Sequence, residues 1–218
     1  MKIPENWTFK SQEVAGAFDN HVREQLPWYD LATGIVVHTA RHFIPRNGVV
    51  YDMGASTGNI GRALGSILAD RNAHLYAVEE SAEMCARYAA AGEVIEANAL
   101  DVRLAPCDLI ISFLFLMFIE PCKRQALIEH WIDRLRKGGA IIIFDKAEPK
   151  GGYVGTILSR LTLAAKYEAG AKPEEVIAKE LSLAGVQRPI KPNELGYGFV
   201  KIFQFGDFAG WLFVKDGE

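Results

Sequence analysis

Short apolar runs alternate with amphipathic segments over the middle of the chain. The apolar runs are rich in β-branched and aromatic residues, whereas the segments between them repeat apolar positions at helical spacing. This order predicts a parallel sheet whose strands are joined by crossover helices. One run is apolar on both faces, which is typical of a strand covered by helices on both sides. The predicted strands are 49–53, 73–78, 93–97, 107–113 and 140–145, and the predicted helices are 59–69, 82–91 and 123–136.

The pattern changes after the fifth predicted strand. Residues 153–169 and 173–184 have helical spacing, and the apolar runs 199–205 and 208–214 flank a Gly-Asp pair, which favours a hairpin. The hairpin would add an antiparallel edge to the sheet. The predicted fold class is therefore α/β, with a mostly parallel seven-stranded sheet, helices on both faces and a C-terminal antiparallel hairpin.

Residues 1–48 lack a convincing strand pattern. Helical spacing runs from 14–21 and from 32–43, so this part is predicted to pack as a helical N-terminal flank or lid. The chain has 218 residues, of which 50% are hydrophobic, enough for one substantial core. A single domain over residues 1–218 is the prediction.

Composition excludes several classes of protein. The net charge is -3, so the chain lacks the general basic field of most nucleic-acid-binding domains. The longest uncharged apolar stretch, 109–119, is shorter than the ~20 residues of a membrane span, and residues 1–5 lack the apolar region of a signal peptide. Three cysteines without metal-ligand spacing fit reduced thiols in a cytoplasmic protein.

The most informative segment is the glycine-rich turn 52–58, where the first strand ends and a helix begins. Such a turn forms a cradle for a ligand, because glycines permit close approach and the first N–H groups of the helix face it. Three enzyme classes use a turn of this kind.

Two of these classes fit poorly. A dinucleotide site needs G-x-G-x-x-G, but Ser56 occupies the position of the middle glycine. The turn does spell G-x-S-x-G, the nucleophile elbow of α/β-hydrolases, yet the only later histidines are His74 and His130, and an elbow normally follows several strands.

The third class binds S-adenosylmethionine. Asp52, Gly54 and Gly58 supply the acid and the two glycines of the D-x-G-x-x-x-G turn. Glu79 closes the second strand about 20 residues later, the distance typical of an acid that accepts the ribose hydroxyls. These positions share the carboxyl ends of successive strands, which favours one common site. Further candidates at those ends are Glu80, Asn98, Asp101 and Phe113.

At this point the sequence resembles the class I methyltransferase family, and more closely its carboxy-S-adenosylmethionine synthase branch, which serves tRNA wobble-uridine modification. The resemblance spans most of the chain and implies a Rossmann-like fold, with a cofactor-binding half over 49–145 and acceptor-side helices and the hairpin over 146–218. The segments that carry it are Trp7-Thr8-Phe9, Pro27-Trp28-Tyr29, Val50-Tyr51-Asp52-Met53-Gly54, Phe118-Ile119-Glu120-Pro121, Arg124-Gln125-Ala126-Leu127, Gly138-Gly139-Ala140 and Phe203-Gln204-Phe205.

By this resemblance, Tyr29 would close over the cofactor from the N-terminal flank and Glu79 would bind its ribose. Gly54 and Ser56, within the turn that also holds Ala55 and Gly58, would contact its methionine part. Glu80, Asn98 and Ala99 would surround the adenine. The resemblance also implies a homodimer and a small-molecule or RNA-linked acceptor.

That branch transfers a carboxylated one-carbon unit derived from prephenate and binds the carboxylate with an arginine. The sequence departs from it at three places: the position of this arginine, Asn98, where the branch has an acid, and the end of the fourth strand, which lacks an asparagine. Leu181 stands at the place of that arginine here, and an apolar side chain cannot bind a carboxylate. The sequence therefore predicts methyl transfer from S-adenosylmethionine, with carboxy-transfer and a non-catalytic cofactor-binding relative as alternatives. The aromatic side chains of Trp28, Tyr29 and Phe113 are candidates to hold the sulfonium.

No residue stands out as a catalytic base, and no metal site is predicted, since His38 and His42 share a helix face without a third ligand. Positive charge does accumulate after the fifth strand and would favour an anionic acceptor, although a solvated helix face balanced by Glu148 and Glu168 is the favoured explanation. These cations are Lys146, Lys150, Arg160, Lys166 and Lys172.

Overall fold

A computed structural model describes residues 3–5, 7–149 and 151–216. It contains seven strands and seven α-helices in these residues, in an alternating order over the middle of the chain. The helices are α1 (Gln12–Gln25), α2 (Tyr29–Ala40), α3 (Asn59–Arg71), α4 (Ala82–Cys85), α5 (Pro121–Arg134), α6 (Gly152–Glu168) and α7 (Pro173–Ser182). The strands are β1 (Val49–Met53), β2 (His74–Glu79), β3 (Glu93–Glu96), β4 (Cys107–Phe113), β5 (Leu135–Lys146), β6 (Val200–Phe205) and β7 (Phe208–Val214).

The strands form one sheet in the order β3-β2-β1-β4-β5-β7-β6. The first five strands are parallel, and β7 pairs antiparallel with both β5 and β6. The order of the strands reverses at β1: β2 and β3 lie on one side of it, and β4 and β5 lie on the other. Ligands of open α/β sheets bind outside the carboxyl ends of the strands at such a switch point. The predicted seven-stranded sheet with an antiparallel C-terminal hairpin is confirmed.

Apolar residues cover both faces of the sheet. Alternate residues of β4 and β5 divide between two clusters: Ile111 and Ile142 pack with α2 and α3, whereas Ile110 and Ile141 pack with α5. All of these side chains are fully buried. This explains why the two strands read as continuous apolar runs rather than as alternating ones.

The predicted helix 82–91 is wrong over most of its length, since α4 ends at Cys85. Beyond it the chain bends so that Tyr88 and Ala90 pack against Gly58 and Gly61, where a Cβ atom on either glycine would collide with them. The Tyr88 hydroxyl also donates to the Ala91 carbonyl at 2.6 Å. Tertiary packing against two glycines therefore overrides the helical pattern.

Two side-chain contacts attach the helices α1 and α6 to the sheet and its first turn. On α1, the Asp19 carboxylate accepts a hydrogen bond from Thr57 Oγ1 at 2.5 Å and pairs with Arg62 of α3 at 3.0 Å. At the other end, Asp207 in the turn of the β6–β7 hairpin accepts a hydrogen bond from Thr162 of α6 at 2.5 Å. The first link joins α1 to the glycine-rich turn, and the second brings α6 against the end of the sheet.

Arg124 is a fully buried cation on α5. Its guanidinium donates to the carbonyls of Ile119 at 2.9 Å, Arg188 at 2.6 Å and Pro189 at 3.2 Å, and it pairs with Glu194 at 2.6 Å. These contacts fix the segment between α7 and β6 onto α5. None of the helices in the described residues is long and apolar enough to cross a membrane.

Candidate functional site

A cavity of about 390 Å³ lies at the carboxyl ends of β1, β2 and β4. Its floor is the glycine-rich turn after β1, and one wall is α1 with the preceding residues 7–10. A further part of the wall comes from the end of β5 and from α6 and α7. The cavity therefore joins residues from both ends of the chain at the switch point of the sheet.

The turn after β1 needs glycine at its first position. Gly54 has φ +74°, and a Cβ atom there would collide with the ring of Phe115. Ser56 also has a positive φ, +52°, and its backbone N–H donates to the Glu79 carboxylate at 2.8 Å. A contact between β1 and β2 thus holds the turn in its strained form.

Glu79 stands at the end of β2 and accepts a second backbone hydrogen bond, from Ser81 at 2.9 Å. Burial raises the pKa of its carboxyl despite these N–H groups, which act in the opposite direction. Its neighbour Glu80 is half exposed, and it pairs with Lys10 at 2.9 Å and accepts from the Asn98 amide at 3.3 Å. One carboxylate is therefore fixed inside the cavity and the other lies at its rim.

Asp52 is the buried acid at the end of β1. It is 1% exposed, and its Oδ2 atom has no hydrogen-bond partner among the described residues. Burial and, secondly, the charge of Glu79 raise the pKa of the Asp52 carboxyl to about 7. An unpartnered buried carboxylate is costly unless a ligand supplies a donor or a positive charge.

The raised pKa of Asp52 predicts how stability depends on pH. The folded chain binds this proton more tightly than the unfolded chain, so the free energy of unfolding should fall as pH rises from about 4 to about 7. Asp52→Asn should stabilise the ligand-free protein at pH ~8 by on the order of 1 kcal/mol, measured by urea denaturation. It should also weaken the pH dependence without abolishing it, because burial raises the pKa of Asp145 to about 7 as well.

Asp70→Asn, which replaces an exposed carboxylate by the same amide, is the matched control. An Asp52→Asn protein with the stability of the wild type at both pH ~5 and pH ~8 would contradict a buried charge at this position.

Aromatic rings line the centre of the cavity. Tyr29, at the start of α2, meets Phe113 edge to face with ring centroids 5.3 Å apart. The Arg23 guanidinium carbon lies 5.2 Å from the centre of the Tyr29 ring. Together with Leu114 and Phe208, these rings make the cavity apolar next to the end of β4.

The wall formed by the end of β5, α6 and α7 is cationic. Lys146 at the end of β5 and Lys166 on α6 share the Glu180 carboxylate of α7, at 3.3 and 3.4 Å. Partial burial works in the opposite direction, but the two ammonium groups hold the pKa of the Glu180 carboxyl below its usual value. Lys166 is only 5% exposed, so its positive charge faces the cavity rather than bulk water.

A third lysine of this wall, Lys179 on α7, places its Nζ over the ring of Trp7. Trp7 stacks in turn on His21 of α1, with ring centroids 5.6 Å apart. His21 is 6% exposed, and burial lowers the pKa of its imidazole to about 4, so it is neutral at physiological pH. Its Nε2 and the Oε1 of Gln25 have no partner among the described residues.

The structure brings most of the sequence-based candidates together. Of the predicted cofactor-binding residues, all except Gly58, Asp101 and Trp28 line the cavity. Gly58 lies behind the turn against Tyr88 and Ala90, Asp101 is exposed, and Trp28 is buried against Phe208. Leu181 points away, with 70% of its surface exposed, whereas its neighbours Lys179 and Glu180 line the cavity. Arg160 and Lys172 are exposed, and Lys150 lies outside the described residues.

Sequence reasoning missed Trp7, His21, Gln25, Lys179 and Glu180 as cavity residues. For two of these residues the sequence does contain a signal. His21 and Gln25 are polar, stand four residues apart and so lie on the same buried face of α1, which indicates a polar group turned toward the interior.

Proteins of known function and structure are similar to this chain. No protein-family model matches the chain. A carboxy-S-adenosyl-L-methionine synthase of Staphylococcus epidermidis is 32% identical over 97% of this chain and 98% of its own length. One of Yersinia pestis is 25% identical, over 98% and 86%. Among solved structures, magnesium protoporphyrin IX methyltransferase of Synechocystis, crystallised with bound S-adenosylhomocysteine, superposes with a TM-score of 0.54 at 16% identity, over 85% of this chain and 82% of that one.

Proposed function

Because the chain belongs to the family of carboxy-S-adenosyl-L-methionine synthases, we propose that it binds S-adenosylmethionine in the cavity and transfers the methyl group to a second substrate. The observation that carries the proposal is the meeting of the glycine-rich turn with two carboxylates, the partly buried Glu79 and the buried Asp52, which has an unpartnered oxygen. A cationic ligand with hydroxyl groups satisfies both acids.

The residues present fit this cofactor. Glu79 is the acceptor for the ribose hydroxyls, and Gly54, Ala55 and Ser56 receive the methionine part, where a side chain on Gly54 would obstruct the turn. The carboxylate of Asp52 balances the positive charge of the ligand. When bound, the cofactor supplies a methyl group activated by a sulfonium. Glu80, Asn98 and Ala99 border the adenine.

Methyl transfer needs positioning and a dry site more than it needs acid–base groups. Tyr29 and Phe113 supply apolar surface beside the end of β4, and both are buried. Aromatic faces attract a sulfonium by about 0.5–2 kcal/mol, so these rings both hold the charge and exclude water.

The cationic wall favours a second candidate, carboxy-transfer, which the names of the relatives state for those proteins. Leu181 cannot replace the arginine implied by the resemblance, but Lys146 and Lys166 bring ammonium groups to the same cavity. Lysine binds a carboxylate as a point charge, without the two parallel hydrogen bonds of arginine. The same lysines serve methyl transfer if the methyl acceptor is an anion.

The test starts with mass spectrometry of the small molecule released when the purified protein is denatured. S-adenosylmethionine or S-adenosylhomocysteine is the expected result, carboxy-S-adenosylmethionine would favour the second candidate, and NAD would overturn both. Protein that is purified empty is titrated with S-adenosylmethionine in a calorimeter.

Turnover is then measured with methyl-labelled cofactor against RNA and small-metabolite fractions, and separately with prephenate. Label in an acceptor fraction supports methyl transfer, and conversion of the cofactor only with prephenate supports carboxy-transfer. Tight binding without turnover in either assay would contradict an enzyme and leave a cofactor-binding relative.

A further inference from the structure

Leu114, the first residue after β4, has a backbone conformation that leucine rarely adopts. Its φ is +58°, in the left-handed region where a residue with a Cβ atom is strained and glycine is not. The other residues with a positive φ in the described part of the chain are glycines, Ser56 and the two asparagines of exposed turns, Asn47 and Asn72. Asparagine tolerates this region through local hydrogen bonds, whereas leucine has no such compensation.

The left-handed turn at Leu114 breaks the alternation of side chains along β4. Successive residues of a strand point to opposite faces of a sheet. Ile110 and Ile111 do so, since they belong to the two different apolar clusters, but Phe113 and Leu114 both pack with the cluster of α2 and α3. Phe115 then packs with the opposite cluster. As a result, two consecutive apolar side chains, Phe113 and Leu114, line the cavity from the same face of the sheet.

Contacts on both sides of Leu114 hold this conformation. Its N–H donates to the Phe144 carbonyl of β5 at 2.7 Å, and the ring of the next residue, Phe115, packs against the glycine-rich turn at Gly54. The Leu114 side chain is only half buried, so packing in the ligand-free protein uses only part of its apolar surface. A strained residue that is fixed by its neighbours and lines a cavity is typical of a ligand contact.

We propose that Leu114 is a specificity-determining residue, which selects a methyl group on the reacting atom of the cofactor. This inference rests on the proposed function, in which the sulfur joins the ribose at Glu79 to the methionine part at residues 54–56 and faces the end of β4. A sulfonium donates no hydrogen bond, so leucine covers its methyl group without leaving a polar atom unpaired. A group with N–H or O–H donors at the same place finds no acceptor on Leu114.

The experiment compares two ligands that differ at the reacting atom. Sinefungin has the adenosyl and amino-acid parts of S-adenosylmethionine, but a carbon that bears an amine replaces the methyl-bearing sulfur. Both ligands are titrated by calorimetry into the wild-type protein and into Leu114→Asn, because asparagine tolerates the positive φ and offers a carbonyl oxygen as acceptor. The affinity for sinefungin relative to S-adenosylmethionine should rise by about tenfold or more in the variant, the effect of one hydrogen bond to a charged group.

Two further variants complete the comparison. Leu31→Asn makes the same substitution at an exposed leucine of α2 that does not line the cavity, and it should keep the wild-type ratio of affinities. Leu114→Gly fits the positive φ and should shift the ratio toward sinefungin by about threefold, so it gives the answer if Leu114→Asn does not fold. An unchanged ratio in both Leu114 variants would overturn the inference and leave the proposed function standing. A wild-type protein that binds neither ligand would overturn both.

The strain at Leu114 is measured without any ligand. Leu114→Ala keeps a Cβ atom at the positive φ and Leu114→Gly does not, so the glycine variant should have the higher midpoint of urea denaturation. Gly65, in the middle of α3 with open space for a Cβ atom, is the control, because alanine should raise the midpoint there. An alanine variant at position 114 that is as stable as the glycine variant would show an unstrained backbone and overturn the inference.

Discussion

Replacing Glu79 by alanine is expected to weaken the binding of S-adenosylmethionine by about 100-fold or more, since hydrogen bonds to a charged group contribute about 1.5–3 kcal/mol each. The carboxylate is the only acid of the described residues fixed at the end of β2 inside the cavity. The substitution also removes the acceptor of the Ser56 N–H, so the strained turn loses its anchor.

Isothermal titration of both proteins measures this loss. Glu93→Gln, an exposed carboxylate at the start of β3, is the control and should bind like the wild type. Glu80→Gln should give a smaller loss than Glu79→Ala, because its carboxylate already pairs with Lys10 at the solvent-exposed rim. Binding by Glu79→Ala within about threefold of the wild type would show that the ribose does not lie at the end of β2.

Arg124→Ala is expected to lower the free energy of unfolding by about 3–5 kcal/mol, the range for breaking a buried ion pair by removing one partner. The guanidinium is fully buried, and its loss leaves Glu194 and three carbonyl oxygens without their donor. The segment that carries Val186 and Gln187 into the cavity would lose its attachment to α5.

Urea denaturation monitored by circular dichroism measures the change. Lys123→Ala is the neighbouring control, because Lys123 is an exposed residue paired with Glu120 at 3.2 Å and should cost no more than about 1 kcal/mol. Arg124→Lys should lie between the two, since an ammonium cannot reach all four acceptors. A loss below about 1 kcal/mol in Arg124→Ala would mean that other contacts hold the segment.

The parallel sheet and the glycine-rich turn could be predicted because both leave local signals. Apolar runs on β4 and β5 mark strands buried on both faces, and Asp52, Gly54 and Glu79 stand at fixed distances from strand ends. These signals do not depend on how distant parts of the chain pack.

The cationic wall could be predicted only in part: the sequence showed an accumulation of cations that includes Lys146 and Lys166, but not which of them face the cavity. Its position depends on the contact of α6 with the hairpin through Thr162 and Asp207, two residues far apart in the sequence. The prediction that Leu181 stands at the place of the arginine depends on the alignment of α7, because a shift of one residue changes which side chain faces the cavity. Successive residues of a helix point about 100° apart, so Leu181 faces solvent while Lys179 and Glu180 line the cavity.

Asp19 connects one wall of the cavity to its floor. Its carboxylate joins α1 to Thr57 of the turn and to Arg62 of α3. A displacement of α1 that widens the cavity must break both contacts, and a ligand that shifts the turn acts on α1 through the same carboxylate. We therefore expect the residence time of a ligand to depend on Asp19, although this residue does not line the cavity.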